Sequence, residues 1–597
     1  MNIVVDIWRL LDRRQRRQLF VLQFVSVLIA FSTLGGIAAV IPFLSVLADP
    51  ASIHSRPFLS SLYERFGLSS DPAFMVALGI GFVVAVIVAN GIALLGTIAM
   101  NRYAYSVGST LGTRLFIAYL HRDYGYFAVN SSTDLLSNVL FQASRLTAAF
   151  LQNILLLVTN VVTIVFIVAT LIALNPIVAL VACIALGLSY ALIYLAVRRK
   201  LLLNGQTESK LLVERTRVVQ ESFGAIKEII VTRSHAFFAK QFAQSTDTIA
   251  DTVVNTQSII LTPKHILESL AVAGLVGAAL WLRSAGAGGI HWLAQLTFIG
   301  FAAYRLLPAL QQVFSAVVKV RTDRAFLERI ARDLHAAVPD NVSARPSDVS
   351  WRKRPLRELR LRDVEFRYAP DLPPVVRDAT LQIPSGSIVA IVGNSGAGKT
   401  VLAEIILGLL VPQSGRLEID DIPIDESNRS AWLSSVAYVP QNIFLLDTSV
   451  AENIALGRAE HELDRQCMHE AATLAGVDEF VSKLPQGFAT RLGERGVRLS
   501  GGQRQRIGIA RALYRDASML VLDEATSALH GLAEQELIAT LKQLRGRKTI
   551  LVVAHSENVV RHADRVFEVV DGRPRVRGAT RRITESKTAA EETSIHP

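Results

Sequence analysis

The segment Gly393-Asn394-Ser395-Gly396-Ala397-Gly398-Lys399-Thr400 sets three glycines, a lysine and a hydroxyl within eight positions. Glycines let backbone N–H groups turn inward around a polyphosphate, the lysine reaches the β- and γ-phosphates, and the threonine hydroxyl ligates Mg2+. The β-branched run 387–392 precedes the loop and an apolar stretch from Val401 follows it. The order is therefore strand, loop, helix, and the helix N-terminus adds its positive dipole end. Farther on, Met519-Leu-Val-Leu-Asp523-Glu524 is an apolar strand that ends in two acids. Placed there, Asp523 holds Mg2+ and Glu524 polarises a water. Ile550-Leu-Val-Val-Ala554 predicts a third strand, and it ends at His555, where an imidazole touches a γ-phosphate and senses its loss. These groups predict a nucleotide and Mg2+ as bound species. Ser500-Gly501-Gly502-Gln503 opens another helix through 504–513, a second anion site at a helix N-terminus. Two grips on one phosphate chain predict a homodimer in which each copy completes the other's nucleotide across a two-fold axis.

The rest of the chain must position this machinery. Of 597 residues, 51% are hydrophobic and 19% charged, where ordinary charged usage is about 25%. That composition excludes a disordered chain, a disulfide mini-domain and a wholly soluble enzyme. Cys183 and Cys467 are too few for a disulfide framework. Six apolar runs, at about 19–47, 73–100, 149–174, 177–197, 259–283 and 292–319, match the roughly 20 residues a spanning helix needs. Asn175-Pro176 separates the third from the fourth with a tight reversal. Arg9, Arg13, Arg14, Arg16 and Arg17 precede the first run, on an amphipathic interfacial segment 7–20. The segments after the second and fourth runs are also rich in Arg and Lys, Arg102 and Arg145 among them. By loop charge, the N-terminus and everything after residue 320 are cytoplasmic. The net charge of +11 is thereby assigned to membrane flanks rather than to nucleic acid. Residues 321–345 are charged and Pro-bearing, a linker, and Leu359, Leu361, Val364 and Phe366 alternate as an edge strand.

The phosphate loop, Val439-Pro-Gln441, Leu499-Ser500-Gly501-Gly502-Gln503, Asp523-Glu524 and His555 stand in the order of an ATP-binding cassette (ABC) domain, and the chain resembles that family. Six spans ahead of such a domain resemble an ABC exporter half-transporter. The implied fold is multi-domain: an α-helical transmembrane bundle followed by an α/β P-loop NTPase domain. The implied boundaries are an interfacial elbow helix at 1–18 and a transmembrane domain at 19–320. A linker at 321–354, a nucleotide-binding domain at 355–575 and a disordered tail at 576–597 complete the chain. The resemblance assigns Tyr368 to stacking on adenine and Gln441 to contact with Mg2+ and the membrane domain. It assigns Glu494-Arg495-Gly496 to touching coupling helices, which fall at 123–138 and 222–237. It implies ATP as the bound nucleotide, and ATP hydrolysis coupled to transport in a bacterial-type inner membrane. One departure stands out. The family's Ser-Ala-Leu-Asp is Ser527-Ala528-Leu529-His530 here, which puts communication between the two nucleotide sites, or the hydrolysis rate, in doubt.

The spans carry the residues that bear on cargo. Arg305 lies midway in the sixth run, where a central Arg costs about 2.5–3.5 kcal/mol on insertion scales. It pairs with Glu268 or lines a cationic wall, extended by Lys264 and Arg102, for an anionic cargo. The stretch 35–50, Tyr304-Arg305-Leu-Leu-Pro308 and an amphipathic external segment at 55–66 resemble PglK-type flippases of lipid-linked oligosaccharides. That implies a polyprenyl-pyrophosphate glycan as cargo. A general lipid, multidrug or peptide exporter shares every motif of the soluble half, and a low-turnover ATP-gated regulator is a rival of another class.

Overall fold

The computed structural model describes residues 8, 11–38, 43, 46–47, 50, 52–55, 57–66, 70–142, 145, 150–174, 176–284, 291–335, 356–525, 531–554 and 556–577. It divides into two compact units: Met1–Arg122 with Asn130–Val338, and Asp123–Val129 with Pro339–Pro597.

The helices up to residue 335 are α1 (Arg13–Ala38), α2 (Pro57–Phe66), α3 (Asp71–Leu120), α4 (Tyr124–Val129), α5 (Ser132–Ser137), α6 (Gln152–Leu174), α7 (Pro176–Gly224), α8 (Ile226–Thr232), α9 (His235–Ser284), α10 (His291–Thr322) and α11 (Arg324–His335). Helices α1, α3, α6, α7, α9 and α10 fall on the six apolar runs. Within lipid a backbone must satisfy its own hydrogen bonds, and a helix does so within one segment. Among the described residues, α3 and the 152–170 part of α6 carry windows of mean hydropathy 2.6 and 2.3, long and apolar enough to cross a membrane. Helices α3, α7 and α9 run 50, 49 and 50 residues. At 1.5 Å per residue each is about 75 Å long, more than twice a hydrocarbon core of about 30 Å. The polar stretches after the second and fourth runs are therefore largely continuations of the same rods. Helix α1 begins at Arg13, so a division at residue 18 falls inside a helix. Pro176 opens α7, where its missing N–H costs no intrahelical bond. Helix α2 falls within the amphipathic segment 55–66, and its Leu59 packs with Val46, Ile53 and Phe74.

Two contacts fix how the long helices meet. A Cβ on Gly205 would lie 2.0 Å from the Thr322 carbonyl oxygen, so α7 passes the end of α10 at a distance only glycine allows. The Arg145 guanidinium grips Glu208 of α7, with a second bond to its Oε2 at 2.9 Å, and gives its Nε–H to Asp323 Oδ1 at 3.1 Å. It also lies 4.5 Å from the ring centre of Phe326 on α11. Together with Lys319, Thr256 and Gln152, these three charged residues line a cavity of about 880 Å³.

Burial pushes the Asp323 carboxyl up to about 6, more than Arg145 pulls it down. An acid held above its unfolded value of about 3.9 binds protons in the fold that the unfolded chain does not. Its destabilising contribution is thus full above pH 6 and fades as pH falls towards 4. Arg145→Ala leaves two buried carboxylates without their cation, at a cost of about 3 kcal/mol. We expect a lower unfolding temperature at pH 8, with a smaller deficit at pH 5. Equal melting of both proteins at pH 8 contradicts the ion triad as a clamp.

The second unit carries two sheets. Strands β1 (Glu358–Phe366), β2 (Val376–Pro384), β4 (Ser414–Ile419) and β5 (Ile422–Pro423) form an antiparallel sheet ordered β2-β1-β4-β5. Strands β3 (Ile388–Gly393), β6 (Val436–Val439), β7 (Met519–Asp523), β8 (Thr549–Val553), β9 (Arg565–Val570) and β10 (Arg573–Val576) form the other, ordered β10-β9-β3-β8-β7-β6. In the latter, β3, β7 and β8 are almost continuous buried apolar runs, as parallel strands covered on both faces must be. Register does the positioning. Val553 of β8 lies opposite Ile391 of β3 and opposite Asp523 of β7. The loop after β3 and the acids ending β7 therefore emerge at one edge, where open α/β sheets bind ligands. Helices α12 (Lys399–Leu407), α13 (Arg429–Ser435) and α14 (Gly501–Tyr514) complete the parts that matter for the site. Trp432 of α13 is fully buried and donates its indole N–H to the Ile406 carbonyl at 3.0 Å, tying α13 to α12.

Candidate functional site

The loop between β3 and α12 takes its shape from positions that only glycine fills. Gly393 has φ 148°, and a Cβ there would meet the Val569 carbonyl oxygen at 2.5 Å. Gly398 has φ 97°, with Val375 O 2.9 Å from its would-be Cβ. Asn394, Ser395 and Gly396 form the exposed rim and Ala397 is half-buried. Lys399, only 5% exposed, turns back over the loop and donates to the carbonyls of Gly393 at 3.0 Å and Asn394 at 2.9 Å. Its ammonium is thus held out of bulk solvent against the loop, where an anionic phosphate gains most from it.

The Thr400 hydroxyl donates to Asp523 Oδ1 at 3.4 Å. Burial raises the Asp523 carboxyl above the usual carboxylate range, while hydrogen bonds from Thr400 and Tyr438 pull the other way. Glu524 follows with φ 49°, a left-handed conformation that costs a non-glycine residue roughly 1–2 kcal/mol. Its backbone N–H is held by the Val553 carbonyl at 3.0 Å. The turn ends β7 and swings the carboxylate out of the sheet towards Gln441, whose Nε2–H donates to Glu524 Oε2 at 2.6 Å. Lys399, Thr400, Gln441, Asp523 and Glu524 are thereby gathered. The side chains of Thr400, Asp523 and Gln441 offer hard oxygen donors, and that set fits Mg2+. When bound, Mg2+ supplies neutralisation of charge on phosphate oxygens. Tyr368 leaves 39% of its surface exposed just past β1 and meets Phe366 edge-on at 5.2 Å. His555 and His530 lie outside the described residues.

Ser500 caps α14. Its Oγ accepts from Gln503 N–H at 3.3 Å, and its own N–H donates to Gln503 Oε1 at 2.9 Å. Each residue satisfies the other, so the N-terminus of α14 is preformed around Gly501 and Gly502. Just upstream, Arg495 of the short turn Glu494–Gly496 has φ 52°.

The expected cationic wall is less assembled. Lys264 of α9 is exposed, with its ammonium 4.0 Å from Glu268. Arg102 is exposed on α3. Arg305 lies on α10, and its side chain falls outside the description. The cavity in the helical unit is lined by Arg145 and Lys319, and neither Arg102 nor Lys264 is among its lining residues.

Three polar residues beside the nucleotide acids escape motif reading. Tyr438 of β6 donates its hydroxyl to Asp523 Oδ2 at 3.4 Å. Glu404, on the apolar helix α12, is only 7% exposed and accepts a hydrogen bond from Tyr124 of α4. Burial is the main force raising its carboxyl. An acid inside an apolar run was the one available signal.

The family described as ABC transporter matches residues 376–527, and the ABC transporter transmembrane region matches residues 19–261. An ATP-dependent lipid A-core flippase of Chromohalobacter salexigens is 30% identical over 525 residues, 84% of this chain and 85% of that protein. The flippase of the same name from Alkalilimnicola ehrlichii is 30% identical over 477 residues, 79% of each chain. That of Pseudomonas aeruginosa is 29% identical over 490 residues, 81% of this chain and 79% of its own. Among solved structures, a bacterial Atm1-family ABC exporter with ATP bound has the same fold, with TM-score 0.77 at 21% identity. The match covers 98% of this chain and 100% of that one.

Proposed function

This chain belongs to the ABC transporter family as an exporter half-transporter that hydrolyses ATP, and on that premise we propose that it flips an anionic lipid-linked substrate between leaflets. The observation that carries the ATP half is the meeting of Gln441 with Glu524 beside Thr400 and Asp523. Residues 393–400 and Tyr368 bind ATP, while Thr400, Asp523 and Gln441 hold Mg2+. Glu524 orients the attacking water, Lys399 balances charge on the transferred phosphoryl, and His555 contacts the γ-phosphate. Ser500–Gln503 of a second copy close over the same nucleotide, in a homodimer. ATP then binds the closed pair better than the open one, and only such a difference shifts a conformational equilibrium. The N-terminus and the nucleotide-binding domain face the cytoplasm of an inner membrane, and flipping runs from the cytoplasmic to the outer leaflet.

Support for a lipid cargo comes from relatives named as lipid A-core flippases. Arg305 on α10 supports an anionic headgroup, because an intramembrane Arg faces a cavity or a partner. A polyprenyl-pyrophosphate glycan is the cargo we favour, its pyrophosphate set against Arg305, Lys264 and Arg102. The test is translocation in proteoliposomes of polyprenyl-pyrophosphate sugar, lipid A-core, zwitterionic phospholipid and a cationic dye. Wild type should move the pyrophosphate lipid, and Arg305→Ala should lose that movement while retaining basal ATPase. Transport of lipid A-core alone replaces the glycan with the relatives' cargo. Transport of dye with Arg305→Ala unchanged removes the anionic-lipid reading.

A further inference from the structure

Helix α4 packs with the nucleotide-binding residues as part of one compact unit, although it stands more than two hundred positions away in the chain. Two polar contacts fasten it. Asp123, at its start, forms an ion pair with Arg429 at the start of α13. Its Tyr124 hydroxyl donates to Glu404 of α12. Helices α12 and α13 are tied together by the buried Trp432, so α4 grips one stiff floor at two points. That floor is also the nucleotide floor, since α12 opens with Lys399 and Thr400.

Glu404 is the unexpected member. A carboxylate on the buried face of an apolar helix is costly unless it is partnered. Its surroundings are Tyr124, Tyr368, Tyr438 and Asp523, each within electrostatic range. Tyr438 lies within electrostatic range of Glu404 and donates its hydroxyl to Asp523. Asp523 in turn accepts from Thr400. A sequence of hydroxyls and carboxylates thus runs from α4 to Asp523 and Thr400, two of the three side chains assigned to Mg2+.

We propose that Glu404 and Tyr438 are positioning residues that link the seating of α4 to the hold of Asp523 on Mg2+. A negative Glu404 beside Asp523 raises the pull of that corner on a divalent cation. Tyr124 keeps Glu404 fixed and satisfied there, and Tyr438 orients Asp523. Linkage is reciprocal: if seated α4 tightens Mg2+, then Mg2+ tightens the seat of α4 by the same factor. The inference rests on the assignment of Asp523 as a Mg2+ ligand.

The experiment measures Mn2+ binding, by the EPR signal of the free ion, to the full-length ATP-loaded Glu524→Gln protein. In that background Tyr124→Phe, Glu404→Gln and Tyr438→Phe should each weaken Mn2+ about fivefold, the low end of coupling between sites. ATP affinity and the melting temperature serve as folding controls and should hold. Glu404→Gln keeps an acceptor for Tyr124 but removes the charge, which separates electrostatic pull from mere filling of space. The pair Tyr124→Phe with Tyr438→Phe should lose less than the sum of the single losses. Mn2+ affinity within twofold of the parent for Tyr124→Phe, or strict additivity of the pair, overturns the link. If Asp523→Asn leaves Mn2+ binding unchanged, the metal assignment itself fails. If Asp523→Asn weakens binding and the tyrosine variants do not, only the link to α4 fails.

Discussion

Glu524→Gln lowers steady-state ATP hydrolysis by about 10²–10³-fold and leaves ATP binding in place. The magnitude follows from what a positioned general base contributes, typically 10²–10⁴-fold, and from how this carboxylate is held. The backbone is pinned by Val553 and twisted to φ 49°. Strain of that kind persists only where the surroundings over-determine it. The Gln441 amide then fixes Oε2 at 2.6 Å. Glutamine at 524 keeps the length and the turn but cannot take a proton from the attacking water. The loss should therefore fall in kcat, with KM for ATP nearly unchanged. Vanadate-sensitive hydrolysis by reconstituted wild type, set against the variant, is the measurement. Robust wild-type turnover that survives the substitution would remove Glu524 from the catalytic role. Wild type with almost no turnover would favour the ATP-gated regulator, and His530 in place of the family's aspartate would become the first residue to restore.

The same residues show what a sequence reveals and what it withholds. The phosphate loop was legible because its chemistry is local: the glycines that bend the chain and the lysine that meets the phosphate lie within eight positions. The strands before it and before Asp523 were legible from β-branched apolar runs. Their shared edge is the consequence of parallel register through Val553. Six long helices follow the six apolar runs, because backbone groups in lipid have few other arrangements. Arg145 was not legible in its real role. Counted along the chain it is one more cytoplasmic cation. Its partners Glu208 and Asp323 lie 63 and 178 positions away, and only the packing of the helices brings them together. Glu404 and Tyr438 escaped for a related reason. Each sits inside a regular element whose period explains it as structure, and neither belongs to a contiguous motif. Ser500 and Gln503 were legible as a helix start. That they satisfy each other in a capping box means the helix end is built before any phosphate reaches it.

Two defects distributed differently over the two copies reveal which copy each grip belongs to. Lys399→Ala removes the cation buried within the phosphate loop, and Ser500→Arg fills the N-terminus of α14 with a side chain that blocks a neighbour's phosphate. In a homodimer with shared seams, a mixed pair carrying Lys399→Ala on one chain and Ser500→Arg on the other places both defects at one seam. The other seam keeps an intact loop and an intact serine turn. The same two substitutions on one chain, paired with an unaltered partner, spoil both seams. With Glu524→Gln throughout to prevent turnover, the first pair should retain about one trapped ATP per dimer, and the second close to none. Composition is identical in the two samples, so general destabilisation cannot produce the difference. If instead each chain served its own nucleotide, the first pair would trap none, and the second would trap one on its unaltered chain. The two arrangements thus predict opposite rankings of the same two proteins. Purification by distinct affinity tags on the two chains, followed by counting of bound nucleotide, decides between them.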